Sequence, residues 1–201
     1  MGSDESVCDP NAHRPGVLAF MEFVLKNMGG SNASFARPCI PGKNSGHHAA
    51  RAWDWKINAF DSEEKARADE LLDWLMANDA ELFRRAGLAY AIWNKKVWSA
   101  YRPYWHPYDG FDEQGQCKSG SCRDPHTNHV HFSFNWPGAD GKTSFYRWLR
   151  GNRPVKKPPE PVEPLPTETS AAKATTNILP FIAGSLVGFG LVFWGSKRWL
   201  K

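Results

Sequence analysis

Apolar residues recur in the first 150 residues of the chain with two different periods. Apolar residues spaced three and four apart lie on one face of a helix. This spacing, together with the flanking residues, predicts helices in residues 15–30, 62–78 and 143–150. Two glycines follow the apolar part of the first segment and an acidic first turn opens the second, as is typical of helix ends.

Alternation of apolar and polar positions predicts strands in residues 52–60, 88–94, 96–102 and 129–136. A tight turn near Asn94 and Lys95 would join the second strand to the third. In the last strand, His129, His131 and Ser133 fall on one face, and the apolar residues between them fall on the other. Helices around a small antiparallel sheet predict an α+β domain.

The composition changes twice after this domain, to which we assign residues 1–152. Residues 153–176 contain six prolines, a density that prevents a helix and favours an extended, semi-rigid linker. Residues 177–201 include an uncharged stretch, residues 178–194, near the lower limit for a membrane span. We expect one C-terminal transmembrane helix. A buried soluble helix is the alternative, but no domain follows the linker for it to pack into.

The expected membrane anchor has consequences for topology and assembly. Gly184 and Gly188, four residues apart, would permit close pairing of two such helices and so self-association. The first residues do not have the basic end and apolar run of a secretory signal peptide. The basic residues of the tail favour a cytoplasmic C-terminus, which would place the domain outside, facing the cell wall. Insertion after translation would instead leave the domain in the cytoplasm.

The charge and the cysteines limit the partners and the compartment. A net charge of +4 is compatible with contact to an anionic wall polymer or phospholipid. The chain has no dense basic stripe or nucleic-acid motif, so we expect no nucleic-acid partner. Four cysteines permit two disulfides, which would imply an oxidising compartment, and Cys117 and Cys122 flank a flexible segment that could close as a small loop. Free thiols in a cytosolic protein are the alternative.

Histidines and one aspartate cluster in two places. His47 and Asp54 lie where a predicted strand begins, and His129 and His131 point to one face of the last strand, with His126 in the loop before it. Imidazoles and a carboxylate form a common catalytic zinc site, with three protein ligands and one open position. A hydrated loop followed by a strand with one polar residue is the structural alternative.

Two motifs resemble those of a known enzyme superfamily. "SGHHAARAWD", residues 45–54, is similar to the signature Ser-x-His-x-x-Gly-x-Ala-x-Asp of the LAS-type peptidoglycan metallopeptidases. These include lysostaphin and the D-alanyl-D-alanine peptidases, and structurally the Hedgehog domain. Their second motif, His-x-His, is matched by residues 129–131, and with His126 the triple resembles murein endopeptidases. The wider context, about residues 15–150, resembles actinobacterial and phage domains.

The resemblance implies a fold like that of the Hedgehog domain and the D-alanyl-D-alanine peptidases. It also implies that His47, Asp54 and His131 bind zinc. His129 would act as general base or acid, and His126 would assist. His48 is an alternative ligand to His47, but the spacing of the family motif favours His47.

The chain departs from the family pattern at two positions. Ala50 stands where the motif has glycine, which matters if the backbone there needs a positive φ. Asn128 stands where related domains often have an acidic residue, so His129 would have to serve alone as the base. Shortly before the first motif, Arg37 could orient a substrate carboxylate or polarise the attacked carbonyl, or it could be an ordinary surface arginine.

We therefore expect a membrane-tethered zinc metallopeptidase that hydrolyses amide bonds in the stem peptides or cross-links of peptidoglycan. A phage lysis protein (endolysin) and a tail-anchored cell-wall hydrolase both fit this description. The alternative is a catalytically inactive module, in which zinc stabilises the fold and the groove binds peptidoglycan peptide.

Overall fold

The computed structural model of the protein describes residues 6–118, 120 and 122–151. The helices are α1 Pro15–Met28, α2 Ser62–Arg85, α3 Trp136–Ala139 and α4 Ser144–Arg150, and the strands are β1 Ser31–Ser34, β2 Ala52–Lys56, β3 Leu88–Trp93, β4 Lys96–Ser99, β5 Arg102–Pro107 and β6 His129–Phe134. A 3₁₀ turn, Gly46–Ala49, precedes β2.

In the described part of the chain, six strands form one antiparallel sheet in the order β1-β2-β6-β3-β4-β5. The last strand of the sequence, β6, therefore lies between β2 and β3 near the middle of the sheet. This confirms the predicted α+β class with an antiparallel sheet. It also brings the histidines near residue 130 beside a strand that lies more than seventy residues earlier in the chain.

The main core lies between one face of the sheet and the helices. Trp53 of β2 and Phe132 and Phe134 of β6 are fully buried. Phe20 of α1 packs edge-on against all three rings, with centroid separations of 5.2–6.3 Å. Aromatic side chains bury large areas and prefer such edge-to-face contacts. The apolar half of the strand alternation therefore fixes the helix-covered face, and the polar half faces the opposite side.

Most predicted elements are present, with differences at their ends. The hairpin turn at Asn94 and Lys95 is confirmed, and both residues have positive φ, as a two-residue turn between twisted strands requires. The second helix continues to Arg85, with non-helical backbone at residues 77–80. The prediction of one strand in residues 96–102 was wrong, since a turn divides it between β4 and β5.

The sequence pattern did not predict the two edge strands. β1 has the sequence Ser-Asn-Ala-Ser, which offers no apolar alternation. β5 contains Pro103 and Pro107, which signal a turn rather than a strand but are tolerated at a sheet edge. Both strands exist because a neighbouring strand supplies hydrogen-bonding partners, and the local sequence does not encode that.

Both pairs of cysteines form disulfides, Cys8–Cys39 and Cys117–Cys122. The second is the predicted small loop. The first joins the N-terminal segment to the segment before the 3₁₀ turn across 31 residues, and closing a loop of that length stabilises a fold by roughly 3–4 kcal/mol in the chain-entropy account.

No helix in the part of the chain that the structure describes is long and apolar enough to cross a membrane. The predicted linker, residues 153–176, and the predicted transmembrane segment, residues 177–201, lie outside the described residues.

Ala50, which replaces the glycine of the family motif, has φ 52° and ψ 28° at the end of the 3₁₀ turn. This left-handed conformation costs an L-residue other than glycine about 1–2 kcal/mol. The backbone at this position therefore does adopt a positive φ, and alanine is less stable than glycine in that conformation because its Cβ clashes with the backbone.

We predict that Ala50→Gly leaves the free energy of unfolding within about 1 kcal/mol of wild type, because relief of the left-handed strain offsets the lost methyl burial and the extra freedom of the unfolded chain. The matched control is Ala52→Gly, an equally buried position in β2 without positive φ, which should destabilise by about 1.5 kcal/mol. Denaturant unfolding measures both. Equal losses in the two variants would contradict the assigned strain.

Candidate metal centre

The centre is formed where β2 and β6 pair in the middle of the sheet. Asp54 lies directly opposite His131 in this pairing, so the two side chains project from the same face. That face is the one turned away from the α1 core. His47 comes from the 3₁₀ turn that leads into β2. The backbone N–H of His47 donates a hydrogen bond to the side chain of Ser45, which caps this turn, at 3.3 Å. Two strands and one capped turn therefore bring the three residues together.

The three side chains present a compact triangle of ligand atoms. His47 Nε2 lies 3.2 Å from Asp54 Oδ1 and 3.3 Å from His131 Nδ1, and His131 Nδ1 lies 2.8 Å from the same aspartate oxygen. Zinc ligands at about 2.0–2.2 Å in a tetrahedral arrangement are separated by roughly 3.3 Å. The group can hold a metal ion with little movement, and all three residues are buried.

The hydrogen bond on the far side of His47 decides which of its nitrogens faces the centre. Its Nδ1 lies 2.5 Å from the backbone carbonyl of Phe35, and since a carbonyl only accepts, Nδ1 carries the proton. The lone pair of Nε2 in the neutral ring therefore points at the oxygen of Asp54. Two electron pairs that converge at this distance repel each other unless a proton or a cation lies between them.

Burial and hydrogen bonding keep the acidic ligand ionised and a basic ligand neutral. Burial alone would raise the pKa of Asp54, but hydrogen bonds and charge interactions with His131 and His47, which these rings make when their inner nitrogens are protonated, outweigh it and hold that pKa well below its usual range. Burial lowers the pKa of His131, against the opposing effect of Asp54. A carboxylate and a neutral imidazole are the forms that bind metal.

Arg37 lies against the other oxygen of the same aspartate. Its Nη2 donates to Asp54 Oδ2, and its Nε donates to the Ser34 hydroxyl at 2.8 Å. The side chain is 51% exposed, so the guanidinium reaches from the buried carboxylate to solvent. This geometry leaves Oδ1 free to face the two imidazoles, and Arg37 therefore positions a candidate ligand.

His129 lies at the rim of the triangle. Its Nε2 is 3.7 Å from Asp54 Oδ1, and its Nδ1 is 2.6 Å from the Asn128 side-chain oxygen. With that oxygen assigned as the acceptor, Nδ1 carries the proton, and Nε2 turns an unprotonated lone pair toward the centre. Asn128 thus orients the ring in the way that a carboxylate would, without adding a negative charge.

His126 closes one side of the site. Its Nδ1 donates to the Asp124 carbonyl at 2.6 Å, and its ring lies 4.6 Å from that of His129 and 5.1 Å from that of Tyr108. Burial, followed by the charges of the neighbouring histidines, lowers its pKa to about 4. The ring is therefore neutral at neutral pH. Its backbone φ of 50° is an unusual conformation for a non-glycine residue.

The predicted site residues all lie in or beside the triangle. His48, the alternative ligand, is buried but does not belong to the group of three ligand atoms. Sequence reasoning missed the carbonyl of Phe35, the Asp124 support of His126, and Tyr90, whose ring stacks on His131 at 5.5 Å. A backbone carbonyl has no side-chain signature, and the tyrosine lies in a strand whose pairing with β6 was unknown.

The chain matches a known family by sequence. The family described as VldE, C-terminal domain, matches residues 9–126, which is more than half of the chain. The matched part includes His47, Asp54 and His126 and ends before β6. Neither a curated protein nor a solved structure matches the chain.

We predict that the purified full chain, supplied with zinc and dialysed, retains about one zinc ion per chain, as expected for one three-ligand site. His47→Ala, Asp54→Ala and His131→Ala should each lose the ion. His48→Ala removes a buried imidazole next to the site and serves as the matched control that keeps it. Atomic emission measures the metal and circular dichroism checks the fold. Full zinc content in all three ligand variants would refute the assignment.

A second prediction concerns acid stability of the metal-free protein. Because the pKa of His126 is about 4 in the fold and 6.5 ordinarily, the unfolded chain binds a proton between those values that the folded chain does not. The stability that neutral His126 contributes to the fold is complete above pH 6.5 and falls as the pH drops toward 4. His126→Gln should therefore reduce the stability lost between pH 7 and pH 4.5 by about 2.5 kcal/mol.

Denaturant unfolding in the presence of a chelator measures this difference at the two pH values. His13→Gln, at an exposed position of the N-terminal segment, is the matched control and should behave as wild type. An unchanged pH dependence in His126→Gln would show that this ring is not held neutral by the fold.

Proposed function

The chain belongs to the family of the VldE C-terminal domain, and for this member we propose the function of a zinc-dependent amide hydrolase acting on the peptides of peptidoglycan. The observation that supports the reaction is the triangle of buried ligand atoms with an imidazole at its rim. The substrate class comes from the similarity of residues 45–54 and 129–131 to the motifs of the LAS-type metallopeptidases.

His47 Nε2, Asp54 Oδ1 and His131 Nδ1 would hold the ion. Bound zinc supplies Lewis acidity, which polarises an amide carbonyl and brings the pKa of a water molecule to about 7. Two neutral imidazoles and one carboxylate are typical catalytic zinc ligands, and three protein ligands leave one position for water or substrate. The hydrogen bond from His47 to the Phe35 carbonyl and that from Arg37 to Asp54 hold two of the ligands in orientation.

In this proposal, His129 moves the proton. Its Nε2 can accept the proton of the attacking water as the oxygen adds to the amide carbon. The imidazolium then returns that proton to the nitrogen as the C–N bond breaks, so a carboxylate and an amine are released. Asn128 keeps Nε2 directed at the centre throughout. Neutral His126, packed against His129, excludes water from one side and limits the movement of the catalytic ring.

Asn128 is also the observation that favours a second candidate function. An amide oxygen orients the ring of His129 but does not stabilise its protonated form as a carboxylate would. If hydrolysis needs that charge, the domain would bind zinc and peptidoglycan peptide without cleaving the peptide. The alternative is therefore a zinc-stabilised, catalytically inactive binding module.

We also propose that the domain faces the cell wall from a C-terminal membrane anchor. Two disulfides are typical of domains that fold in an oxidising compartment, which supports a position outside the cytoplasm. The anchor itself rests on the composition of residues 177–201. In this arrangement the partners are the membrane, the peptidoglycan substrate and, through Gly184 and Gly188, a second copy of the chain.

We predict that the zinc-loaded chain releases peptide fragments from purified peptidoglycan and that a chelator stops this release. His129→Ala should keep its zinc and fold but lose a factor of roughly 10²–10⁴ in rate, the usual contribution of a positioned acid–base group. Asn128→Asp should hydrolyse peptidoglycan at the wild-type rate or faster. A carboxylate there would stabilise the protonated form of His129, and the rate would rise if that form limits the reaction.

Mass spectrometry of the released fragments, measured beside zinc content, separates the outcomes. His13→Ala is the control for loss of a histidine outside the site. A zinc-loaded His129→Ala protein with full activity would show that another group moves the proton. A zinc-loaded wild type that is inert on peptidoglycan, but becomes active as Asn128→Asp, would favour the binding module.

A further inference from the structure

Three side chains of the edge strand β5 line up in contact with one another, and we call Arg102, Tyr104 and His106 the β5 ladder. Arg102 Nε donates to the Tyr104 hydroxyl at 2.6 Å, and the guanidinium carbon lies 4.8 Å from the centre of the tyrosine ring. The rings of Tyr104 and His106 are 5.6 Å apart. Alternate residues of one strand thus share one face of the sheet.

The β5 ladder lies on the same face as the candidate metal ligands. His106 pairs with Val97 of β4, Val97 pairs with Ile92 of β3, and Ile92 pairs with His131 of β6. Residues paired across antiparallel strands project from the same side. Three strand spacings of about 4.8 Å separate β6 from β5, so His106, the nearest member of the β5 ladder, lies about 14 Å from the metal centre.

The β5 ladder is unusually exposed for its aromatic content. Tyr104 is 54% exposed, and Tyr101, in the turn before β5, is 58% exposed. Large aromatic side chains grouped on a surface commonly mark a binding site. Because Tyr90 stacks on His131 and pairs across β3–β4 with Ser99, aromatic and polar side chains continue from the metal centre toward β5.

The chemistry of the three groups points to one kind of ligand. Stacking on the ring and the hydrogen bond through Nε hold the Arg102 guanidinium in place, and its terminal nitrogens form the fork that binds a carboxylate through two hydrogen bonds. His106 Nδ1 donates to the Tyr104 carbonyl at 3.1 Å, so its Nε2 accepts. The fixed guanidinium of Arg102 can bind a carboxylate of a peptide, and the nearby Nε2 of His106 can accept a hydrogen bond from an amide N–H of the same peptide.

We propose that the β5 ladder is a substrate subsite that binds a carboxylate of a peptide whose cleaved amide lies at the metal centre. This inference rests on the proposed function and names the substrate class as a carboxylate-bearing peptide. Arg102 is in register with Ser133, two residues along β6 from His131, so it lies about 16 Å from the metal centre. That separation corresponds to about five residues of extended chain, so Arg102 recognises a carboxylate remote from the cleaved bond. The β5 ladder thereby selects among peptides that the metal centre itself does not distinguish.

The test uses the zinc-loaded full chain and two sets of soluble muropeptides, one with free side carboxylates and one with the same carboxylates amidated. Arg102→Gln should raise KM for the free-carboxylate set about tenfold and leave kcat unchanged, because a charge-assisted hydrogen bond is lost in the ground state and the transition state alike. The KM for the amidated set should not change. Tyr104→Phe, which keeps the ring and removes the hydroxyl, should have a smaller effect in the same direction.

Arg150→Gln makes the same charge change at an exposed position of α4 and should behave as wild type. Equal KM values for wild type and Arg102→Gln on the free-carboxylate set would overturn the subsite. If wild type cleaves neither set, the proposed function fails, and calorimetric binding of the same muropeptides tests the subsite by itself. Binding that is weakened by Arg102→Gln and not by Arg150→Gln would support it. Equal affinities, or no binding by wild type, would overturn it.

Discussion

The pairing of Asp54 with His131 across β2 and β6 is the constraint on which the rest of the site depends. Each residue is polar and buried in the middle of a sheet, and each is tolerated there because the other lies opposite it at hydrogen-bonding distance. A shift of one residue in this register would turn the carboxylate into the aromatic core and bring Trp53 or Trp55 to the site face. The aromatic contacts of Phe20 therefore protect the chemistry as well as the fold, since they hold the register in which the ligands meet.

His47, Asp54 and His129 each direct one atom toward the centre, and another atom of each is hydrogen-bonded to the surrounding protein. The Phe35 carbonyl holds His47, Arg37 holds the second oxygen of Asp54, and Asn128 holds His129. These contacts fix which atoms converge, and they come from the segment between β1 and the 3₁₀ turn and from the residue before β6. An imidazole or carboxylate whose outer atom is already bonded offers its inner atom at a lower entropic cost, which is why such supports raise metal affinity and catalytic precision.

The sheet separates structural and chemical roles by face. One face carries the aromatic residues of β2 and β6 against the helices, and the other carries the candidate ligands and, three strands away, the β5 ladder. An antiparallel sheet can pack one face against an apolar core and carry polar groups on the other. The buried core then supplies rigidity, and the polar groups of the other face can change without changing the core.

The sequence by itself determined the periods of the main helices and strands, the hairpin at Asn94 and Lys95, and the shared face of His129 and His131, because these depend on residues close in the chain. The motif spacing also selected His47 over His48, and the structure places His47 in the triangle. Only the tertiary structure decided that β6 lies beside β2, that Arg37 contacts Asp54, and that β1 and β5 are strands at all. Those features depend on which strand supplies the hydrogen-bonding partner, and partners distant in sequence leave no local pattern.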